Sequence, residues 1–464
     1  MADRPHILIL MPDQLRADCL SCAGHGVVRT PNMDRLADQG TRFDGAYTAS
    51  PVCMPARSSF LAGLFCHNHG QWGNRGHLPA DADTCAGRLR AAGYRTCHVG
   101  KSHLHPHIKG DHLERQKPFL NALGFDDVFE ITGPHATVTT NSIVTDRWEK
   151  LGCLKTFRDD YARRAAQGVA ALWPSPLPPG ETLDDFVGRT ATEYVESYNR
   201  DEPMMLFVGF AGPHEPWDPP ADWAARYADT PMNPPEPVTA PAAWVSPIAA
   251  GHQRKLQKAR SEVTPEIVAR TRALYYAKIS HIDDWMGRIL NTLQQRRMLD
   301  DTVVILWSDH GEMLWDKGRT NKEVFYEQSV HIPLIIRTPQ SASDGGGKVA
   351  GGLVSLVDLF PTILDLALCK PKPNAFGQSL APMLADQHAV VNEAVFSEID
   401  NRTMIRDDRF KMVINDLGEV LKLYDMVDDP REEVNLAGKG GTEDVVRRLR
   451  EQLFRWLLAT PNRQ

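Results

Sequence analysis

Residues 7–14 read Ile7-Leu8-Ile9-Leu10-Met11-Pro12-Asp13-Gln14. Five apolar residues in succession, stopped by a proline, describe a strand covered on both faces, because a half-exposed strand would alternate apolar with polar residues. Runs of the same kind return at 204–210, 303–307 and 332–336. Between them, 81–92, closed by Gly93, and 269–297 carry the spacing of amphipathic helices. The chain therefore reads as α/β, with a parallel or mixed sheet. The residues directly behind the runs are equally informative. Asp13 and Gln14 succeed the first; Lys101 and His103 succeed a candidate strand at 96–99; His214 succeeds 204–210; Asp309 and His310 succeed 303–307. A single Asp behind a strand is ordinarily a turn former or helix cap. Four strands that each end in metal-ligand or acid–base residue types are expected to converge, since open α/β sheets bind ligands outside the carboxyl ends of their strands.

The remainder of the 464 residues sets bounds. With 42% hydrophobic and 24% charged residues, the composition excludes wholesale disorder, collagen-like repeats and a membrane bundle. Lys plus Arg is 52 against 59 Asp plus Glu, a net charge of −7, which lacks the basic footprint of a nucleic-acid binder. No apolar run approaches the ~18 residues of a membrane span, and 7–11 is too short for a signal-peptide core. A cytoplasmic location, with no membrane and no nucleic acid as partner, is expected. Eight cysteines in such a chain read as reduced thiols, and Cys19-x-x-Cys22, with no second pair to complete a zinc site, reads as packed.

The Pro-rich stretch 213–247 predicts a functional surface loop. A second break, Cys369-Lys370-Pro371-Lys372-Pro373, divides the chain into a catalytic α/β domain, 1–370, and a C-terminal domain, 371–464. The latter holds short alternating runs at 395–399, 403–406, 410–414 and 420–424 and a helix at about 444–458, a small antiparallel α+β unit. No internal repeat is present.

Asp13, Asp309 and His310 offer two carboxylates and an imidazole, with the Gln14 carbonyl in addition. That set suits one divalent cation with mostly oxygen ligands, Ca²⁺ ahead of Mn²⁺. His98, His103, His105, His107 and His112 form a rival cluster on paper; alternate histidines in a Pro- and Gly-containing loop have no fixed face, so they are expected to separate. Pro55 suits the first position of a helix running to Gly63, which would set Cys53 at its N-terminus, where backbone donors and the dipole favour an anion and a reactive thiol.

Cys53-x-Pro55-x-Arg57, followed by Ser-Ser-Phe-Leu-Ala-Gly, resembles the signature of the type I sulfatases, in which the cysteine is oxidised to formylglycine. The resemblance extends in order through Asp13-Gln14, Gly93-Tyr94-Arg95-Thr96, Gly100-Lys101-x-His103, Gly212-Pro213-His214-x-Pro216, Ser308-Asp309-His310-Gly311, Lys322-x-x-x-Tyr326-Glu327 and Leu423-Tyr424-Asp425 to Asn435-Leu436-Ala437. It implies an alkaline-phosphatase-like mixed sheet flanked by helices, with a smaller C-terminal domain. It also implies a sulfuric ester hydrolase that cleaves a small-molecule sulfate monoester and depends on a formylglycine-generating maturation enzyme. By the same resemblance Asp13, Gln14, Cys53, Asp309 and His310 hold the metal, and Cys53 becomes the nucleophile. Arg57 steadies the aldehyde hydrate, Lys101 and His103 lie beside it, and His214 and Lys322 face the leaving oxygen, with Asn74 a further substrate contact.

Gln14 and His310 stand where many members have Asp and Asn, which resembles the choline-sulfatase and phosphonate monoester hydrolase branches. The phosphonate branch is expected to carry Tyr and Thr at positions 101 and 103, so Lys101 and His103 favour a sulfate ester over the alternative of phosphonate monoester or phosphodiester hydrolysis. A non-catalytic binder of sulfated ligands would result if Cys53 stayed unoxidised. The alcohol half of the substrate and the oligomeric state, homo-oligomer included, are left open.

Overall fold

The opening apolar run becomes β1 (His6–Asp13). It lies inside an eight-stranded sheet with β2 (Thr41–Tyr47), β3 (Arg95–Lys101), β4 (Asp127–Ile131), β5 (Met204–Pro213), β6 (Thr302–Trp307), β7 (Leu334–Arg337) and β8 (Lys348–Ser355). The structure, a computed structural model, describes residues 4–238, 262–373 and 375–461. The strand order is β4-β3-β5-β1-β6-β7-β2-β8. Only β7 runs antiparallel to its neighbours β6 and β2, so the sheet is mixed, as expected.

Side chains of β1 divide by parity. Ile7, Ile9 and Met11 join Met205, Phe207, Val303 and Ile305 on one face, while Leu8 and Leu10 join Leu206, Val208, Val304 and Leu306 on the other. The strand is apolar throughout because helices cover both faces. On the Leu8 side lies the helix Pro265–Gln295, with Thr264 as its cap and Pro265 in its first turn. Its Leu274, Ile279, Ile282, Met286, Ile289 and Leu293 fill that core. This helix begins four residues before the expected 269, because the cap and proline, not the first periodic apolar residue, set its start. The Pro-rich stretch, as far as Val238, leaves β5, makes the short helix Ala221–Ala225 and continues without regular structure; 239–247 lie outside the described residues.

Beyond the large sheet, β9 (Val395–Ile399), β10 (Arg402–Arg406), β11 (Phe410–Asn415) and β12 (Val420–Asp425) form a separate antiparallel sheet in the order β12-β11-β10-β9. The helix Glu443–Ala459 comes next. Its Leu449, Leu453 and Trp456 join the same apolar cluster as Ile7 and Phe60. Trp456 stacks on Phe396 with ring centroids 4.3 Å apart and meets Phe65 edge-on at 4.9 Å. All eight cysteines are free. Among the described residues no helix is long and apolar enough to cross a membrane.

The two sheets are also joined by charge. Lys411 of β11 is fully buried, with its ammonium 2.7 Å from Glu327 and 2.6 Å from Glu432. Glu327 accepts a hydrogen bond from the Tyr47 hydroxyl of β2 at 2.8 Å, and its backbone N–H donates to Glu432 at 2.8 Å. A buried cation between two carboxylates is most costly to break from one side, because the acids are then left desolvated and unpaired. Lys411→Met is therefore expected to lose about 3–5 kcal/mol of stability, read by chemical denaturation. Lys411→Met combined with Glu432→Gln should lose less than Lys411→Met alone.

Candidate active site

Adjacent strands β3, β5, β1 and β6 open their carboxyl ends on one side, and the polar segments found in the sequence meet there. Gln14, just past β1, adopts a left-handed backbone (φ +71°). That turn is held by its N–H, which donates to Asp309 at 3.0 Å, and by its carbonyl, which accepts from the Tyr275 hydroxyl of the long helix at 2.7 Å. The Ser308 hydroxyl accepts from the Leu15 N–H at 2.9 Å and donates to the Pro12 carbonyl at 2.9 Å, tying the ends of β1 and β6 together. In β3, Gly100 has φ +103°, and a Cβ there would lie 2.0 Å from the Gly209 carbonyl oxygen. Only glycine allows β3 and β5 this approach ahead of Lys101.

Cys53 reaches the site from the segment after β2 and opens the helix Cys53–Ala62, which Gly63 ends in a left-handed conformation. Cys53 itself, rather than Pro55, is the first helical residue; Pro55 stands third. Both positions belong to the first turn, where a missing N–H removes no intrahelical bond. One turn along, the buried Arg57 spans the strand ends: Nη2 is 2.8 Å from Asp13, Nε 2.9 Å from Asp309, and Nη1 donates to the Lys101 carbonyl at 2.6 Å. The Lys101 ammonium also binds Asp13. The Cys53 sulfur is 3.0 Å from His310 Nε2 and 3.9 Å from Asp13 Oδ1. Asp13, Cys53, Asp309 and His310, all buried, each bring a potential ligand atom within 4.8 Å of the others.

The charges are mutually supporting. Burial and the Cys53 sulfur push the Asp13 carboxyl up, but Lys101 and Arg57 outweigh them and hold it at about 2. Burial likewise raises the Cys53 thiol, and Lys101, Lys322 and His310 drive it well below the usual range. Burial opposes protonation of His310, yet Asp309 and Cys53 lift it to about 9. Burial and the neighbouring Lys101 keep His103 neutral, with a pKa of about 4.

Lys101, His103, Asn74, His214 and Lys322 line an open cleft of about 310 Å³. Asn74 accepts from the Met54 N–H at 3.1 Å, at the start of the Cys53 helix. The Lys322 ammonium lies 2.8 Å from His214 Nε2 and also binds the Gln14 side-chain carbonyl. His214 Nδ1 faces the Glu215 carbonyl at 2.7 Å; a carbonyl only accepts, so Nδ1 carries hydrogen and Nε2 accepts from Lys322. Burial would lower Lys322, but Cys53 and Glu215 raise it and keep it charged.

Two acids went unnoticed in the sequence. The Gln14 amide donates to Glu215 at 2.9 Å and to the fully buried Glu312. Glu312 accepts from the backbone N–H groups of Leu314 (3.1 Å) and Asn321 (2.6 Å), and burial together with Glu215 raises its pKa to about 7. Their signal was adjacency: Glu215 is next to His214, and Glu312 lies two residues beyond His310. The rival histidines separate only in part: His103 and His107 stay stacked with centroids 4.9 Å apart and His105 meets His107 at 5.8 Å, while His98 and His112 leave the group. His98 stacks on Phe207 inside the sheet at 5.1 Å, His105 pairs with Glu130 at 3.0 Å, and His112 pairs with Asp146 at 3.2 Å. Among the described residues, neither that cluster nor Cys19 and Cys22 contributes to a metal-ligand group.

Comparison with known proteins agrees with this arrangement. The family profile described as Sulfatase matches residues 5–368, and the profile "N-sulphoglucosamine sulphohydrolase, C-terminal" matches 315–457. An arylsulfatase of Clostridium perfringens is 28% identical over 98% of this chain and 94% of its own length. A choline-sulfatase of Rhizobium meliloti is 29% identical over 94% of this chain and 82% of its own. The crystal structure of a phosphonate monoester hydrolase of Agrobacterium radiobacter superposes with a TM-score of 0.76 at 25% identity, over 99% of this chain and 96% of that one. With the family profile spanning most of its length, the chain belongs to the sulfatase family and is a sulfuric ester hydrolase.

Proposed function

We propose that the enzyme hydrolyses the sulfate monoester of a small alcohol through formylglycine made from Cys53, with one divalent cation held by Asp13, Asp309, His310 and Gln14, Ca²⁺ ahead of Mn²⁺. The observation that carries this reading is the place of the Cys53 side chain: at a helix N-terminus, 3.0 Å from His310, inside a buried group of two carboxylates faced by Arg57, Lys101 and Lys322. The donor set fits a hard cation with mostly oxygen ligands, and the imidazole is what keeps Mn²⁺ in contention. Such a cation supplies Lewis-acid polarisation of the nucleophile and of a sulfate oxygen. Hydrated formylglycine supplies one hydroxyl for attack and a second through which sulfate can later be expelled, which a serine cannot do.

The protein's own groups divide the remaining work. Arg57 neutralises Asp13 and Asp309 and fixes their carboxylates. Lys101, Lys322 and the helix N-terminus face the sulfate charge, which is spread over three oxygens in the transition state. His103, kept neutral by burial and Lys101 and lining the same cleft, is suited to handle a nucleophile proton. Lys322, kept protonated, stabilises negative charge on the departing oxygen, and His214, oriented by the Glu215 carbonyl, delivers a proton there after taking one up from solvent at Nε2, the nitrogen that faces Lys322 in this structure. Lys101 and His103 support a sulfate over a phosphonate ester.

Peptide mass spectrometry of protein made with a maturation enzyme should find formylglycine at position 53, and Cys53→Ser should lose about 10³-fold or more in turnover. Fully active protein with an unmodified thiol would contradict this. His214→Ala should lower kcat/KM on an alkyl sulfate by about 10²–10⁴-fold but much less on 4-nitrophenyl sulfate, whose leaving group departs unaided. A plot of log kcat/KM against leaving-group pKa should therefore be steeper for His214→Ala than for the wild type; parallel lines would remove His214 from the acid's role.

A further inference from the structure

Behind His214, on the side away from the cleft, two buried charged side chains grip its backbone. Residues 211–218 form the carboxyl end of β5 and the bend that follows it, packed against the helices Leu183–Ser197 and Pro265–Gln295. From the first helix, one carboxylate oxygen of Asp184 accepts the backbone N–H groups of Ala211 and Gly212, both at 2.9 Å. From the second, the Lys278 side chain donates to the His214 carbonyl at 3.1 Å, to the Pro216 carbonyl at 3.2 Å and to Asp218 at 3.1 Å. An ammonium has three hydrogens, and all three find their acceptors on this one segment. Asp218 in turn accepts from the Tyr161 hydroxyl at 3.1 Å.

Both side chains are buried, and burial makes them costly unless they are fully paired. An apolar residue at 278 would simply extend the stripe of Leu274, Ile279 and Ile282 that the same helix packs into the core, an exchange that is often neutral or stabilising. What Lys278 adds is confined to residues 214–218. The approach of the two side chains to the strand end is also close: a Cβ on Gly212 would lie 2.6 Å from Asp184 Oδ2 and 2.9 Å from Lys278 Cε, so glycine is what admits both. Neither Asp184 nor Lys278 lines the cleft that holds Lys101, His214 and Lys322. Their influence on the reaction therefore runs through the backbone of His214, whose ring is aimed by the Glu215 carbonyl on Nδ1 and by Lys322 on Nε2.

We propose that Asp184 and Lys278 are positioning residues for leaving-group protonation, pinning the backbone on both sides of the His214 imidazole so that its ring meets the departing oxygen. The inference rests on the reading of His214 as the leaving-group acid. A misplacement of about 1 Å caused by a change far from the chemistry is enough to cost about 10²-fold in rate. Loosening this clamp would displace His214 while leaving Cys53, Arg57 and Asp309 untouched, so the defect falls on esters whose departing oxygen needs a proton.

The test measures kcat and KM on ethyl sulfate and on 4-nitrophenyl sulfate for Lys278→Met, Asp184→Ala and Asp184→Asn beside the wild type and His214→Ala. Lys278→Met and Asp184→Ala should each lower kcat on ethyl sulfate about tenfold or more and change kcat on 4-nitrophenyl sulfate less than about threefold. Asp184→Asn, which keeps an acceptor oxygen for both N–H groups, should retain most of the ethyl sulfate turnover. Placed in the His214→Ala background, Lys278→Met should add less than about twofold, because the group through which it acts is gone. Equal losses on the two esters, unchanged turnover of ethyl sulfate, or an undiminished effect of Lys278→Met in the His214→Ala background would overturn the positioning role while a selective loss in His214→Ala itself left the acid reading standing. Equal losses in His214→Ala would overturn both. Should Lys278→Met fail to fold, the contrast between Asp184→Ala and Asp184→Asn decides by the same ratio of the two esters.

Discussion

Arg57 bridges the ends of β1 and β6 by binding Asp13 and Asp309 at 2.8 and 2.9 Å, with all three side chains out of contact with solvent. Two carboxylates this close and this buried cannot both ionise unless cations stand against them. Arg57 meets that need from a helix whose first residue is Cys53, so one guanidinium fixes the position of both acids relative to the sulfur and, with Lys101, keeps the Asp13 carboxyl low. Much of the neighbourhood depends on it. Lys101 approaches Asp13 from β3, and the Lys101 carbonyl in turn receives Arg57 Nη1. The left-handed turn at Gln14 is fixed by Asp309 from below and Tyr275 from the side.

A second level of charge extends outward from that group. Gln14 is neutral, yet its amide touches Glu215, Glu312 and Lys322. One residue thus couples the floor of the site to the acid and the lysine that face the cleft. Further out, Lys411 from the antiparallel sheet clamps Glu327, five residues after Lys322. The C-terminal sheet is therefore not an appendage: it anchors the segment that brings Lys322 to His214, and its helix completes the apolar core beneath the Cys53 helix.

The central strands were legible because both their faces are covered. An unbroken apolar run such as Ile7 to Met11 suits a strand between two helical layers and little else of that length, and the polar residues behind each run marked the site. β2, β4 and β8 were not legible. β4 and β8 are the edges of the sheet, and β2 lies next to β8. There a strand tolerates Asp44 in β2, Asp127 in β4, and Gly351 with Gly352 in β8, so the pattern fades. Within the site, residues with a motif around them were visible, but Glu312 was not. Its importance comes from burial against Gln14 and two backbone N–H groups, a tertiary fact that its place two residues beyond His310 does not by itself reveal. Pro55 misled by two positions because any place in the first turn satisfies a proline.

We propose that Arg57 holds Asp13 and Asp309 in place so that, with His310 and Gln14, they bind a single divalent cation beside residue 53. Anomalous X-ray diffraction from crystals grown with Mn²⁺ tests it most directly. One strong anomalous peak bounded by Asp13, Asp309 and His310 is expected, with occupancy sharply reduced in Arg57→Ala crystals of the same form. A peak elsewhere, or an unchanged peak after removal of Arg57, would contradict it.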